Sequence, residues 1–227
     1  MRALLLPVKD LKNAKKRLTG VLTPEERFGL AEAMLMDTIR AARGVRRVDK
    51  VFVVTNYAPM MRIAEENGWE LLREEQQVSE SDSVDAASIV CERRGVTRLL
   101  RVPLDVPLVQ ASDIDDLLAV ECEEPALVIV PSRDGLGTNA ILRMPPALFP
   151  SHFGMGSFAK HVGEAERLGA VVIFRRNTRL ELDVDDEADL RVLLKNDLSG
   201  TETGRWLRDS GVDARFQSHL KAGAMGA

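Results

Sequence analysis

Leu99-Leu100-Arg101-Val102-Pro103-Leu104-Asp105-Val106-Pro107-Leu108 runs from an apolar stretch into a proline-bracketed turn that carries one carboxylate. A short apolar run bounded by turn signals fits a buried strand of a parallel sheet. Its carboxyl end falls at Asp105, the edge at which open α/β sheets gather their ligands. Outward from this stretch, apolar runs recur at residues 3–6, 51–54, 126–130 and 170–174, with less sharp ones at 69–72 and 140–143. Helical patterns lie between them. Thr23-Pro24-Glu25-Glu26 opens one that runs to Ala41, with Thr as N-cap and Pro in the first position. Others cover residues 59–66, closed by Gly68, and 84–94, ended by Gly95, with the polar and acidic residues 73–83 reading as a loop. Ser112 caps a helix through Leu118, residues 157–168 form another, and Leu182-Asp183-Val184-Asp185 precedes one at 186–194. This alternation at βαβ spacing predicts an α/β class with a mainly parallel central sheet.

The 227 residues fit one large domain with a sizeable core. A net charge of −4 argues against nucleic acid as a partner, since phosphate backbones are held by clustered Lys and Arg. Cys91 and Cys122 are far apart with no CxxC pattern, which fits reduced structural thiols in a cytosolic protein. The apolar start ends at Pro7, too short for a signal peptide, and no run approaches a membrane span. A cytoplasmic location with no membrane partner is the expectation. The pattern weakens after Ser199, and Ala222-Gly223-Ala224-Met225-Gly226-Ala227 reads as a disordered end.

Two glycine-rich stretches stand out: Asp134-Gly135-Leu136-Gly137-Thr138-Asn139-Ala140 and Phe153-Gly154-Met155-Gly156-Ser157-Phe158. A backbone with few side chains can approach an anion closely, with Thr and Ser donating at the rim. The same residues also suit ordinary turn-rich loops. Asp105 is placed to hold a divalent cation, or alternatively to bond its own turn. Asp183 and Asp185 share a face of an extended segment and can converge on one ion, while Asp186 is the natural cap of the following helix. Oxygen ligands without Cys or His favour Mg²⁺ over Zn²⁺. Lys9, Lys15 and Arg17 lie in the densest basic patch and form a candidate phosphate clamp; Lys12 and Lys16 read as solvated. His152, His161 and His219 adjoin no nucleophile motif, and each reads as structural or exposed. No G-x-x-x-x-G-K-[ST] and no early G-x-G-x-x-G is present, against a Walker-type kinase and a dinucleotide dehydrogenase. A phosphate nucleophile needs no general base, only charge neutralisation and alignment.

On these residues the chain resembles the CofC/FbiD family of guanylyltransferases in coenzyme F420 biosynthesis. The likeness rests on Pro7-Val8-Lys9 with Ala14-Lys15-Lys16-Arg17-Leu18, Ala33-Met34-Leu35-Met36-Asp37, the Asp105 turn, Gly137-Thr138-Asn139-Ala140, Phe153-Gly154 with Gly156-Ser157-Phe158, and Leu182-Asp183-Val184-Asp185. It implies a single-domain, Rossmann-like, GT-A-type nucleotidyltransferase over residues 1–198, followed by a C-terminal extension at 199–227. The reaction it implies joins GMP from GTP to a phosphorylated three-carbon acid and releases pyrophosphate. Asp105, Asp183 and Asp185 would hold Mg²⁺, with Asp105 and Lys9 at the chemistry. Lys9, Gly137, Thr138, Asn139, Gly154 and Ser157 would surround the acid, and Lys15 and Arg17 would meet the GTP phosphates. Ser83-Val84-Asp85 departs from the family pattern near the expected base site, and Asp85 is the candidate acceptor for guanine's donors. The acid itself stays open among 2-phospho-L-lactate, phosphoenolpyruvate and 3-phosphoglycerate. A sugar-phosphate nucleotidyltransferase, a glycosyltransferase using Asp183-x-Asp185, and a non-catalytic anion-binding domain are the alternatives. Trp206 and Leu207 could pack on the same chain or on a partner, and a homodimer and hand-off of a labile product to the next enzyme are both open.

Overall fold

β1 (Arg2–Val8) shows how this sheet is buried. Successive side chains of a strand point to opposite faces. Leu4 and Leu6 pack with the helices of one layer and Ala3 and Leu5 with those of the other. Both faces are covered, so the strand reads as a continuous apolar run and not as an alternation. The computed structural model describes residues 1–76 and 78–216.

Further strands are β2 (Lys50–Thr55), β3 (Glu70–Arg73), β4 (Arg98–Arg101), β5 (Ala126–Pro131), β6 (Thr138–Met144) and β7 (Val171–Phe174). They form one seven-stranded sheet in the order β3-β2-β1-β4-β6-β5-β7. Only β6 runs against its neighbours, antiparallel to both β4 and β5. The expected α/β class with a mostly parallel sheet is what the chain adopts.

α1 (Pro24–Gly44), α2 (Ala58–Glu66) and α4 (Ala111–Leu118) cover one face, through Ile39, Met60 and Ile114. α3 (Glu80–Arg93) and α5 (Ser157–Arg167) cover the other, through Val84, Cys91 and Ala165. α6 (Thr178–Glu181), α7 (Glu187–Leu193) and α8 (Glu202–Asp209) complete the chain order. Two 3-10 turns, Leu11–Asn13 and Lys16–Leu18, carry the chain from β1 to α1. α1 opens as expected: Thr23 Oγ1 accepts from Glu26 N and Glu26 Oε2 accepts from Thr23 N. Among the described residues no helix is long and apolar enough to cross a membrane.

Two helix starts differ from the sequence reading in their caps, α1 runs on to Gly44, β6 begins at Thr138 and the short α6 was not expected. α3 begins at Glu80, inside the expected loop, because Ser79 caps it by accepting from Asp82 N at 3.0 Å. A polar first turn looks like a loop until its cap is seen. α4 is capped by Gln110 in a reciprocal pair with Asp113, and Ser112 lies inside the helix. From Gly200 to Phe216 the chain stays ordered: α8 packs on α1, and Leu207, Val212 and Phe216 join Leu18, Leu30 and Val184 in a separate apolar cluster. The expected disordered end at 222–227 lies outside the described residues.

What attaches α8 is a buried carboxylate. Asp37, fully buried on α1, accepts from Glu202 N at 2.8 Å and Thr203 N at 2.9 Å, and from Arg40 at 2.9 Å. These are orphan donors of the first turn of α8, where an anion also complements the helix dipole. An Asn cannot accept from both N–H groups through oxygen. Asp37→Asn is therefore expected to destabilise by about 1–3 kcal/mol, lowering Tm by about 2–4 °C per kcal/mol. Thermal unfolding followed by circular dichroism measures this, and an unchanged Tm would remove Asp37 as the anchor of α8.

Candidate active site

The strands that run together end on one edge of the sheet, and a cleft of about 880 Å³ lies there. Lys9 follows β1, Asp105 lies beyond β4 and Arg133 beyond β5. β6 runs the other way, so its first residues, Thr138 and Asn139, arrive at the same edge. Every site residue expected from the sequence lines this cleft except Asp85.

The acidic half is built by an extended segment. Leu182 and Val184 are buried in the apolar cluster under α7 and α8, which turns Asp183 and Asp185 to the cleft. The N–H of Val184 donates to the carbonyl of Asp105 at 3.0 Å and ties this segment to the Asp105 turn. Asp186 caps α7, as expected, by accepting from Asp189 N at 3.0 Å.

Lys15 stands differently from the expectation that it meets nucleotide phosphates. Its Nζ donates to Asp105 Oδ2 at 2.8 Å and to Asp185 Oδ1 at 2.9 Å, and its side chain is 8% exposed. Burial works to lower the Lys15 pKa, but the two carboxylates outweigh it and hold the ammonium above its usual range. Burial likewise pushes Asp105 up, and Lys15 more than offsets it, leaving the carboxyl below the usual range. Asp183 has no such cation. Burial, then the charge on Asp105, raise its pKa to about 6 against the opposing hydrogen bond from Asn139. Among the described residues no three acidic, His or Cys groups close to metal-binding distance. The ammonium sits between two of the expected ligands instead. Arg17, 70% exposed in its side chain and 3.7 Å from Asp185, is left facing the cleft. Lys9 is exposed at its rim.

The glycine-rich half joins its two loops directly, the N–H of Phe158 donating to the carbonyl of Leu136 at 3.1 Å. Gly154 has φ +113, a backbone that L side chains rarely adopt. Gly137 is small for another reason: a Cβ there would stand 2.8 Å from Ser132 Oγ, and its N–H donates to that same oxygen at 2.7 Å. Its amide serves the turn and not a ligand. Ser157 Oγ lies 3.3 Å from Thr138 Oγ1, so these two hydroxyls form one unit.

Two assignments are corrected. Asn139 was expected on the substrate, but its amide donates to the carbonyls of Leu180 and Glu181 and to Asp183 Oδ1 at 2.9–3.1 Å. It positions the acidic segment. Asp85 was expected at the base, but its carboxylate accepts from Ser151 N and Oγ and faces Arg143 at 3.5 Å. Arg143 is 2% exposed, and a buried guanidinium needs such a counter-charge. Sequence reasoning also missed Arg101, a β4 residue in the cleft wall that stacks 4.2 Å from the Phe153 ring and donates to the carbonyls of Thr138 and Asn139. Its single trace was an Arg inside an apolar strand.

An open sheet with nucleotide-sized space beyond its strand ends, lined by carboxylates and glycine-rich loops, defines a nucleotidyltransferase of the nucleotide-diphospho-sugar transferase fold. A solved structure from Desulfovibrio desulfuricans G20 named for that transferase class superposes with a TM-score of 0.76, covering 94% of this chain and 96% of its own at 16% identity. CMP:2-keto-3-deoxy-manno-octonic acid synthetase shares the fold more distantly, with a TM-score of 0.53 over 85% of this chain and 97% of its own at 13% identity. The chain belongs to the CofC family, described as guanylyl transferase CofC like, which it matches over residues 1–223. Phosphoenolpyruvate guanylyltransferase of Conexibacter woesei is 35% identical over 83% of this chain and 85% of its own length. 2-phospho-L-lactate guanylyltransferase of Methanothermobacter thermautotrophicus is 32% identical over 90% and 88%.

Asp183 makes the metal-free cleft pH-sensitive. Its folded pKa of about 6 lies above the ordinary 3.8, so the native state holds the proton more tightly. Stability is then lost as pH rises from about 4 through about 6. In chelator, Asp183→Asn is expected to raise Tm at pH 7.5 by about 2–4 °C for each kcal/mol relieved, with the gap shrinking at pH 4.5. Scanning calorimetry at both pH values checks this; equal gaps would refute the repulsion.

Proposed function

We propose that this chain transfers GMP from GTP to the phosphate of a three-carbon phosphoacid, phosphoenolpyruvate or 2-phospho-L-lactate, and releases pyrophosphate. The observation that supports it best is the meeting, in one cleft, of glycine-rich loops and three carboxylates in a chain related to both named guanylyltransferases. The setting is the coenzyme F420 route that the family resemblance implies.

A phosphate oxygen of the acid attacks the α-phosphorus of GTP, and the bond from that phosphorus to the bridging β-oxygen breaks. No general base is required, because the attacking phosphate is largely ionised at neutral pH. The Thr138–Ser157 hydroxyl pair donates to the acid, Gly154 lets the backbone approach it, and Lys9 supplies positive charge at the rim. Arg17 faces the nucleotide phosphates. Lys15 holds Asp105 and Asp185 together in the absence of another cation.

Asp105, Asp183 and Asp185 fit a hard divalent cation by the chemistry of their oxygens, and Asp183, whose pKa burial and then the Asp105 charge raise to about 6, is the carboxylate a bound cation would relieve most. Mg²⁺ bound there would neutralise charge on the leaving pyrophosphate. Asn139 would keep Asp183 directed at it.

The test supplies GTP and Mg²⁺ with phosphoenolpyruvate, 2-phospho-L-lactate or 3-phosphoglycerate in turn, with pyrophosphate release and product mass as readouts. Release with one of the first two acids is expected, along with a loss of at least about 100-fold in Asp105→Asn. Turnover with a sugar phosphate in place of an acid would overturn the reading, and equal release by Asp105→Asn would overturn the role of Asp105.

A further inference from the structure

His161, on α5, is fully buried, and no step above uses it. The backbone N–H of His152 reaches its Nε2 at 2.8 Å. A backbone N–H only donates, so Nε2 must be the bare, accepting nitrogen. Burial, then the nearby Arg143 charge, hold the ring's pKa down at about 3, so it is neutral at physiological pH. A neutral imidazole with a bare Nε2 carries its proton on Nδ1. Nδ1 lies 3.0 Å from Thr138 Oγ1 and therefore donates to it. The ring has little freedom to turn, with Phe153 edge-on at 5.1 Å and Phe149 tilted against it at 6.0 Å.

The consequence falls on the two hydroxyls of the acid pocket. Thr138 and Ser157 have two O–H groups between them, and one is used in the bond that joins them. With His161 donating in from behind, the remaining hydrogen has to leave the pair on the cleft side. Where Ser157 donates to Thr138, it is the Thr138 hydroxyl that turns outward, and Thr138 is the more exposed of the two.

We propose that His161 is a positioning residue whose fixed tautomer turns the Thr138–Ser157 pair into an obligate donor toward the cleft. This inference rests on the reading that these hydroxyls meet the phosphoacid. The pocket then selects a ligand atom that only accepts, such as a carboxylate or ionised phosphate oxygen, and disfavours an amide or other donor there.

The tautomer can be read without turnover. Two-bond ¹⁵N–¹H spectra of the full protein at pH 7 are expected to show His161 protonated at Nδ1 and bare at Nε2. A ring protonated at Nε2, or at both nitrogens, would overturn the proposal. His161→Asn keeps an N–H near the place of Nδ1, whereas His161→Phe fills the space without one. His161→Phe is expected to raise the KM for the acid about tenfold, with little change in the KM for GTP, and His161→Asn is expected to recover most of that loss. Equal rises in both KM values, or no recovery with Asn, would mark His161 as merely structural and refute the idea. Should no acid be guanylylated, the proposed reaction fails by itself. The spectra and the calorimetric binding of phosphoenolpyruvate to wild type and both variants then still decide the role of His161.

Discussion

One buried ammonium holds the acidic half of this molecule in place. Asp105, Asp183 and Asp185 arrive from separate segments, and three carboxylates in one partly buried space repel each other. Lys15 relieves two of them, with contacts of 2.8 and 2.9 Å, and the Val184–Asp105 backbone bond fixes the segments that carry them. Reaching that position requires Lys15 to adopt φ 55, a left-handed conformation that costs a residue with a Cβ roughly 1–2 kcal/mol. The turns on either side make this affordable, because Leu11 and Leu18 anchor them in two different apolar clusters. The cleft, the apolar cluster beneath α7 and α8, and the route from β1 to α1 are thus parts of one arrangement.

The third carboxylate explains why the arrangement is also a receptive one. Lys15 satisfies Asp105 and Asp185, while Asp183 keeps its burial and its repulsion with only the Asn139 amide in return. A site built purely for stability would place a second cation or an apolar residue there. The imbalance lies at the strand ends, where the sheet offers room for ligands. Asp37 makes the contrast: more deeply buried still, it is matched by two helix N–H groups and an arginine.

Much of this could be read from the chain alone, and the limit has a physical cause. Strand order along the sequence, the convergence of Asp183 and Asp185, and the cap at Asp186 depend on local periodicity and neighbours a few residues away. The roles of Asp85, Asn139, Lys15 and His161 depend on which distant group each one meets after folding. Asp85 was legible as a carboxylate near a helix start, but the buried Arg143 that claims it comes from β6. Lys15 was legible as a cation after the first strand, and its basic neighbourhood suggested phosphate. Only the fold brings it to two carboxylates first. His161 gave no local signal, since its meaning lies in a backbone N–H on one side and a threonine hydroxyl on the other.

The reversed strand is what separates this cleft into two halves. In a wholly parallel sheet each strand delivers its last residues to the ligand edge, followed by a loop and a helix. β6 delivers its first residues there, so the hairpin that precedes it lines the cleft and its Leu136 carbonyl accepts from the N–H of Phe158 in the first turn of α5. That places Thr138 beside Ser157 and His161, none of which a strand-end rule would bring together. The acidic half is made by the turn after β4, through Asp105, with the extended segment of Asp183 and Asp185, and the glycine-rich half by the strand that runs against its neighbours. The fold is shared with a synthetase whose solved structure holds CTP, and in the proposed reaction the selection of an anionic acceptor would sit on the antiparallel hairpin and the helix packed behind it.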